Sequence, residues 1–148
     1  MSKSDTFEND LLLLIFNNTN IANIGDATGL RGSTAAGTLW VSLHTADPGD
    51  TGTAVTSETA YTGYARQSVN RASGAGGLTV TGNSVSPTSN VDFPECTASP
   101  GTAITHFGIV NTASGAGKLL YKGTLTPNIT MAVGVAPRVK NTSTITED

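Results

Sequence analysis

Apolar and polar residues alternate along most of this chain, and a period of two is the signature of half-buried β-strands. The stretch from Leu39 to Val69 sets the pattern. Leu39, Val41 and Leu43 lie on one face, with Trp40, Ser42 and His44 on the other. Ala46-Asp47-Pro48-Gly49-Asp50 stops that strand, because Pro48 fixes φ and lacks a donor and Gly49 suits a tight turn. From Tyr61 the chain is expected to extend again, with Tyr64 and Arg66 on one side. Ala103 to Asn111, reading AITHFGIVN, is apolar on both faces and belongs in the centre of a sheet. Lys118 to Thr126 is its expected hairpin partner, with Pro127-Asn128 as the following turn. Ile129, Met131, Val133 and Val135 then share one face of a further expected strand, which Pro137 ends or places at an edge.

Weaker strand patterns fill the rest. Val69–Arg71 and Leu78–Val80 read as a hairpin across Ser73-Gly74-Ala75-Gly76, Val85–Phe93 is interrupted by Pro87, and Val139–Ile145 suits an edge. A second Ser-Gly-Ala-Gly occurs at Ser114–Gly117, but its flanks differ, so the two are similar turns and not a repeat. About seven to nine strands, spaced roughly 10–15 residues apart, predict an all-β fold. The expected architecture is an antiparallel β-sandwich of jelly-roll type with one N-terminal α-helix.

The helix is read from a different period. After a loose arm at Met1–Lys3, Ser4 or Asp5 can cap a helix, and Glu8 follows Asp5 by three residues, as in a capping box. Leu11, Leu12, Leu13, Leu14, Ile15 and Phe16 then wrap the helix with apolar surface, so it must be buried on several sides or inserted into a neighbouring subunit. Ile21 to Gly37 reads as a long, glycine-containing connector, either draped over a partner or an ordinary surface loop. The 148 residues are expected to form a single domain: residues 1–24 as arm and helix, 25–37 as connector, 38–146 as sandwich, and Glu147-Asp148 as a free acidic end.

Composition sharpens this picture. Charged residues make up only 13% and aromatics 5%, with 17 glycines, which suits strands and turns better than a helical bundle or a disordered chain. A net charge of −3 with eight scattered basic residues argues against nucleic acid as partner. Cys96, the single cysteine, has no disulfide partner within the chain and reads as a small half-buried side chain rather than a nucleophile or ligand. The apolar run at 11–16 is too short to span a bilayer and lacks the basic flank of a signal peptide. Synthesis in the cytoplasm and no membrane partner are therefore expected.

Candidate chemistry is sparse. His44 and His106 with Asp47 or Asp50 could be drawn as metal ligands, but both histidines sit within strands and no calcium-loop spacing follows either aspartate. His44, Asp47 and a serine could be drawn as a triad, but no G-x-S-x-G elbow is present. Asp47 suits a turn, bonding its own backbone two residues on. The glycine clusters lack a phosphate-loop pattern. No catalytic residue, metal or cofactor is therefore expected. Arg66 reads either as a solvated-face arginine or as an intersubunit anchor beside Tyr64, stacked on its ring and paired with a carboxylate. Trp40, the only tryptophan, marks either a second buried face or an interface.

Two segments carry a resemblance. Leu43-His44-Thr45-Ala46-Asp47-Pro48-Gly49, followed by Gly63-Tyr64-Ala65-Arg66-Gln67, is similar to small virion proteins of tailed bacteriophages. That group is described as capsid cement or decoration proteins, or as tail-fibre-like proteins. The resemblance spans about thirty residues and implies a structural role without chemistry. It leads to an expected cement protein on the outer surface of the head, binding the major capsid protein or other virion proteins as a homo-oligomer. A tail or tail-fibre-attachment protein is the alternative, and a carbohydrate-binding sandwich is the alternative from another class. The expected interface comprises residues 11–16 of the helix with Trp40, Tyr64 and Arg66.

Overall fold

A computed structural model of the chain describes Ser2 to Glu147. One helix, α1 (Asp5–Asn17), precedes nine strands: β1 (Thr38–His44), β2 (Gln67–Asn70), β3 (Leu78–Thr81), β4 (Ser84–Pro87), β5 (Val91–Asp92), β6 (Ile104–Val110), β7 (Leu119–Ile129), β8 (Arg138–Val139) and β9 (Ile145–Thr146). They form open sheets in the orders β2-β1-β6-β7, β3-β4-β9 and β5-β8. The fold is antiparallel β with a single N-terminal helix, as the alternation pattern requires. The chain groups into two compact units. The first is Met1–Thr38, Val69–Asn90 and Lys140–Asp148, and the second is Leu39–Ser68 and Val91–Val139, so the divisions cut β1 after its first residue and β2 at its middle.

In the first unit α1 lies against β3 and β4. Ser4 is the N-cap, its Oγ accepting from the Phe7 N–H, and Asn18 closes the helix in the left-handed conformation. Glu8, Leu12 and Phe16 are the buried positions. Their spacing of four defines one face, so the helix is not equally covered all round. The β3–β4 hairpin turns on Gly82-Asn83, and β9 pairs along β4. This places Leu78 opposite Pro87 in a hairpin with β4, which corrects the pairing expected with Val69–Arg71. Glu147 is held rather than free: its N–H donates to the Asn83 carbonyl and its carboxylate pairs with Lys3 at 3.1 Å. Met1 of the expected arm and Asp148 of the expected free end lie outside the described residues.

In the second unit β6 is central, paired with β1 on one side and β7 on the other. Ile104, Phe107, Ile109 and Val110 are buried, as are Leu39, Val41 and Leu43 in β1. Each such side chain contributes about 1.5–3 kcal/mol on leaving water. The opposite face of β1 is also buried at Ser42 and His44. Gly108 makes that face possible. A Cβ there would lie 2.7 Å from Leu119, 2.8 Å from Ser42 Oγ and 2.9 Å from His44 Nε2. Gly108→Ala is expected to destabilise the fold by about 1–3 kcal/mol through overpacking. Urea titration with an unchanged m-value checks this, and a neutral substitution would mean the site is looser than its geometry.

Three expected elements differ. Residues 61–66 are not a strand: Gly63 takes φ +103 and the Tyr64 N–H returns to the Tyr61 carbonyl, making a turn. β7 continues through Pro127 to Ile129 instead of turning there. Residues 130–137 form no strand. The Val135 N–H closes a turn onto Ala132, leaving Met131 buried and Val133 64% exposed, so the alternating residues do not share a face.

Candidate functional site

The chemically richest place in the second unit is the surrounding of Arg66. Its guanidinium is buried at the meeting of two loops that leave the sheet, residues 45–66 and 111–118. Nε donates to Glu58 Oε1 at 2.6 Å and Nη2 to Glu58 Oε2 at 2.7 Å, a two-pronged ion pair. Nη1 donates to the carbonyl and hydroxyl of Thr112, and Nη2 also reaches the carbonyls of Ala54 and Gly115. The Glu58 contact holds Arg66 above its ordinary pKa. This placement corrects the solvated-face reading. The expected carboxylate partner exists, and it is Glu58.

Tyr64 meets the same carboxylate. Its hydroxyl donates to Glu58 Oε1 at 2.8 Å and accepts from the Leu43 N–H at 3.1 Å. Burial, above all, pushes its hydroxyl pKa up. Tyr61 packs edge-on against Tyr64 at 5.4 Å, and Phe93 stacks on Tyr64 at 6.3 Å. Tyr61 donates to the Pro94 carbonyl, and burial, with the field of Cys96 second, pushes it up to about 12. Tyr61, Tyr64 and Phe93 therefore form one aromatic cluster. Tyr61 and Phe93 are buried, so the cluster offers no flat exposed platform. A cleft of about 390 Å³ opens beside it, lined by Glu58, Tyr61, Tyr64, Arg66, Ala113 and Ser114 among others.

His44 is fully buried and fixed at both nitrogens. Nδ1 is 2.8 Å from the Thr56 carbonyl and must donate to it, so in the neutral ring Nε2 accepts from Ser42 Oγ at 2.8 Å. The serine–histidine contact resembles an activated nucleophile, but neither residue reaches solvent, so the pair presents no reacting group to a dissolved substrate. Burial is the largest influence on His44 and lowers its pKa from 6.5; the Arg66 and His106 charges lower it too, while the Thr56 bond and Glu58 oppose them. A histidine with a depressed folded pKa contributes stability that is whole above the unfolded pKa and is lost as pH falls through that value toward the folded one. The melting temperature is therefore expected to fall between about pH 7 and about pH 5, and His44→Gln should flatten that slope. An unchanged slope in the variant would assign the acid sensitivity elsewhere.

The Asp47 turn does what its sequence indicates. Asp47 Oδ1 accepts from the Gly49 N–H at 2.9 Å, which is the main cause of its lowered pKa, and Lys122 pairs with Asp47 at 2.9 Å and Asp50 at 3.4 Å. His106 is half-buried, with Nδ1 2.8 Å from Thr105 Oγ1. Among the described residues no group of three or more His, Cys, Asp or Glu is placed to hold a metal ion. No helix among them is long and apolar enough to cross a membrane. Cys96 is fully buried rather than half-buried, its Sγ 3.4 Å from the Ala98 carbonyl.

The structure brings Tyr64 and Arg66 together at Glu58 and leaves Trp40 half-buried in β1. On α1, Leu12 and Phe16 are fully buried, and Leu11, Leu13, Leu14 and Ile15 are half-buried. Sequence reasoning missed two partners. Glu58 precedes Arg66 by eight residues across an irregular loop, a separation with no periodic signature. Arg71, in the first unit, donates to the carbonyls of Leu14, Ile15 and Ala36, to Asn18 Oδ1 and to Ser33 Oγ. It thereby satisfies carbonyls of the last turn of α1 and ties down the connector. Nothing in the local pattern marks Arg71, because its acceptors lie at least 35 residues away in sequence.

Residues 2–146 match the family model described as podophage GP4 fiber I protein gp80. No curated protein matches the chain.

Proposed function

Since the chain belongs to the podophage GP4 fiber I protein gp80 family, and is thus a bacteriophage virion structural protein, we propose that it is a non-enzymatic fibre component mounted on the tail. The match over residues 2–146 carries this reading, because it spans nearly the whole chain and is to a fibre protein. The geometry supports it in a second way. The serine–histidine pair is sealed, and the Arg66–Glu58 pair is spent on joining loops, which suits a rigid assembly subunit rather than a catalyst. The partners in this reading are other virion proteins and further copies of the chain, not nucleic acid or membrane. Half-buried Leu11, Leu13, Leu14, Ile15 and Trp40 are available to complete such contacts.

Capsid decoration is the competing location within the structural class, and it rests on the two short segments at 43–49 and 63–67. The carbohydrate-binding alternative is less well supported, because Tyr61 and Phe93 are turned inward. Immunogold labelling of intact particles with antibodies raised against this chain tests the location. Gold on the tail fibres is expected. Gold spread over the head would overturn the fibre reading in favour of decoration.

A further inference from the structure

The His44 ring is sealed by a stretch of chain that contributes little else to the core. Its Nδ1–H meets the Thr56 carbonyl at 2.8 Å, and its Nε2 accepts from Ser42 Oγ. Nε2 also lies over Gly108, where an added Cβ would come within 2.9 Å of it. A space too tight for a methyl group admits no water to solvate a charged ring. Protonation would also turn Nε2 into a donor, and the Ser42 hydroxyl proton would lose the acceptor it now has. Of the charges around the ring, Glu58 favours the proton, whereas Arg66 and His106 oppose it. His106 faces His44 directly across the β1–β6 pairing. Lys122, on β7, is engaged by Asp47 and Asp50.

The cover over the ring is residues 45–57. Only Pro48 and Ala54 are buried in it, whereas β1 alone buries Leu39, Val41 and Leu43. Its neck is closed by the Thr45 N–H on the Ser57 carbonyl. Its far side is held by the Ala54 N–H on the Gly117 carbonyl, by Arg66 Nη2 on the Ala54 carbonyl, and by Lys122 at the exposed tip. Just beyond it the chain is gripped harder. Glu58 meets both Arg66 and Tyr64, and the Thr59 N–H donates to the Leu43 carbonyl. Between the two parts Ser57 sits at φ +54, a left-handed conformation that is strained for serine.

We infer that residues 45–57 are an acid-opened flap: proton uptake by His44 lifts this segment from the sheet, while Arg66 and Glu58 hold the hinge behind it. The inference goes beyond the fibre reading and does not depend on it, because opening is measured on the isolated chain. Opening solvates the imidazolium and frees Ser57 while leaving the strands and their buried side chains in place. The sign follows from linkage. In the open flap His44 titrates at its ordinary value of about 6.5, and in the closed flap burial, above all, lowers it. The closed form therefore has its full advantage above about pH 6.5 and loses it as pH falls below that value. Asp47 stays ionised in this range, because the Gly49 N–H, first, and Lys122 hold its pKa below the usual carboxylate value. Between about pH 7.5 and about pH 5 the open population is expected to rise by up to about thirtyfold, the limit for a group that stays neutral when closed.

Amide hydrogen exchange of the full chain at these two pH values, corrected for the intrinsic pH dependence of exchange, tests this. The Thr45 and Ala54 amides are expected to lose protection by that factor while the amides of β6 keep theirs. In His44→Asn, whose neutral amide donates to Thr56 but takes up no proton, the ratio should fall to about one. In His106→Gln it should persist. Equal loss in β6, no loss at Ala54, an undiminished ratio in His44→Asn or its disappearance in His106→Gln overturns the inference. The imidazole nitrogen shifts of the unaltered chain give a second reading if the His44 variant does not fold. His44 should carry its proton on Nδ1 alone at the higher pH and gain a second one over the range in which Ala54 loses protection. Protonation with the Ala54 amide still protected overturns the flap.

Discussion

Arg66→Ala is expected to cost about 3–5 kcal/mol, because it removes one partner of a buried ion pair and leaves the Glu58 carboxylate facing Tyr64 alone. Against a typical total of about 5–15 kcal/mol, that is enough to bring the protein close to unfolding. The loss is not only electrostatic. The carbonyls of Thr112, Ala54 and Gly115 lose their donor together, so the 111–118 loop is held to the 54–58 turn by the Ala54 N–H to Gly117 carbonyl bond without the guanidinium beside it. Urea or thermal melting gives the magnitude, and faster proteolysis within Ser114–Gly117 reports the loop. Arg66→Lys should recover no more than part of the loss, since an ammonium lacks the planar fork that meets both carboxylate oxygens. The double variant Arg66→Met with Glu58→Gln should be more stable than Arg66→Ala, because it leaves no unpaired buried charge and keeps an acceptor for Tyr64. A single Arg66→Ala loss below about 1 kcal/mol, as for a surface pair, would mean that the pair is solvated and the loops hold by other means.

Arg71→Ala should cost less, about 2–3 kcal/mol, but in a more local way. Five acceptors in the first unit depend on this one guanidinium, two of them carbonyls of Leu14 and Ile15 in the last turn of α1. Removing it also removes a positive charge from the helix end where a cation is favourable. Hydrogen exchange should therefore accelerate for the amides of Leu12 to Phe16 while those of β6 keep their protection. Equal acceleration in both would mean that Arg71 stabilises the chain globally and is not a latch on α1.

The strands that sequence reading located best, β1 and β6, are the ones in which side chains on both faces enter the core, so hydrophobic pattern and structure report the same thing. The Asp47 turn was equally legible, because its hydrogen bond closes within three residues. Residues 129–135 show the limit of that logic. Their alternation is real, yet only Ile129 joins a ladder while a local turn at 132–135 takes the rest out of it, and apolar period alone cannot tell a strand from a folded-back loop. The candidate site was half visible: Tyr64 and Arg66 stood out by residue type, whereas Glu58 did not.

By itself the sequence determined the local terms. These are the strand-rich composition, the capped helix with its apolar surface, the acidic turn, and the absence of any short motif for metal or phosphate chemistry, all set by contacts between near neighbours in the chain. Only the tertiary structure decided where the charges go. Arg66 and Arg71 each draw their partners from two or more segments remote in sequence, and a long flexible side chain carries no periodic signal of which carbonyls it will reach. It was the pairing of β1 and β7 on either side of β6, with the loops that leave the sheet, that buried one arginine against Glu58, sealed His44 beside Ser42, and left β7 at the sheet's edge.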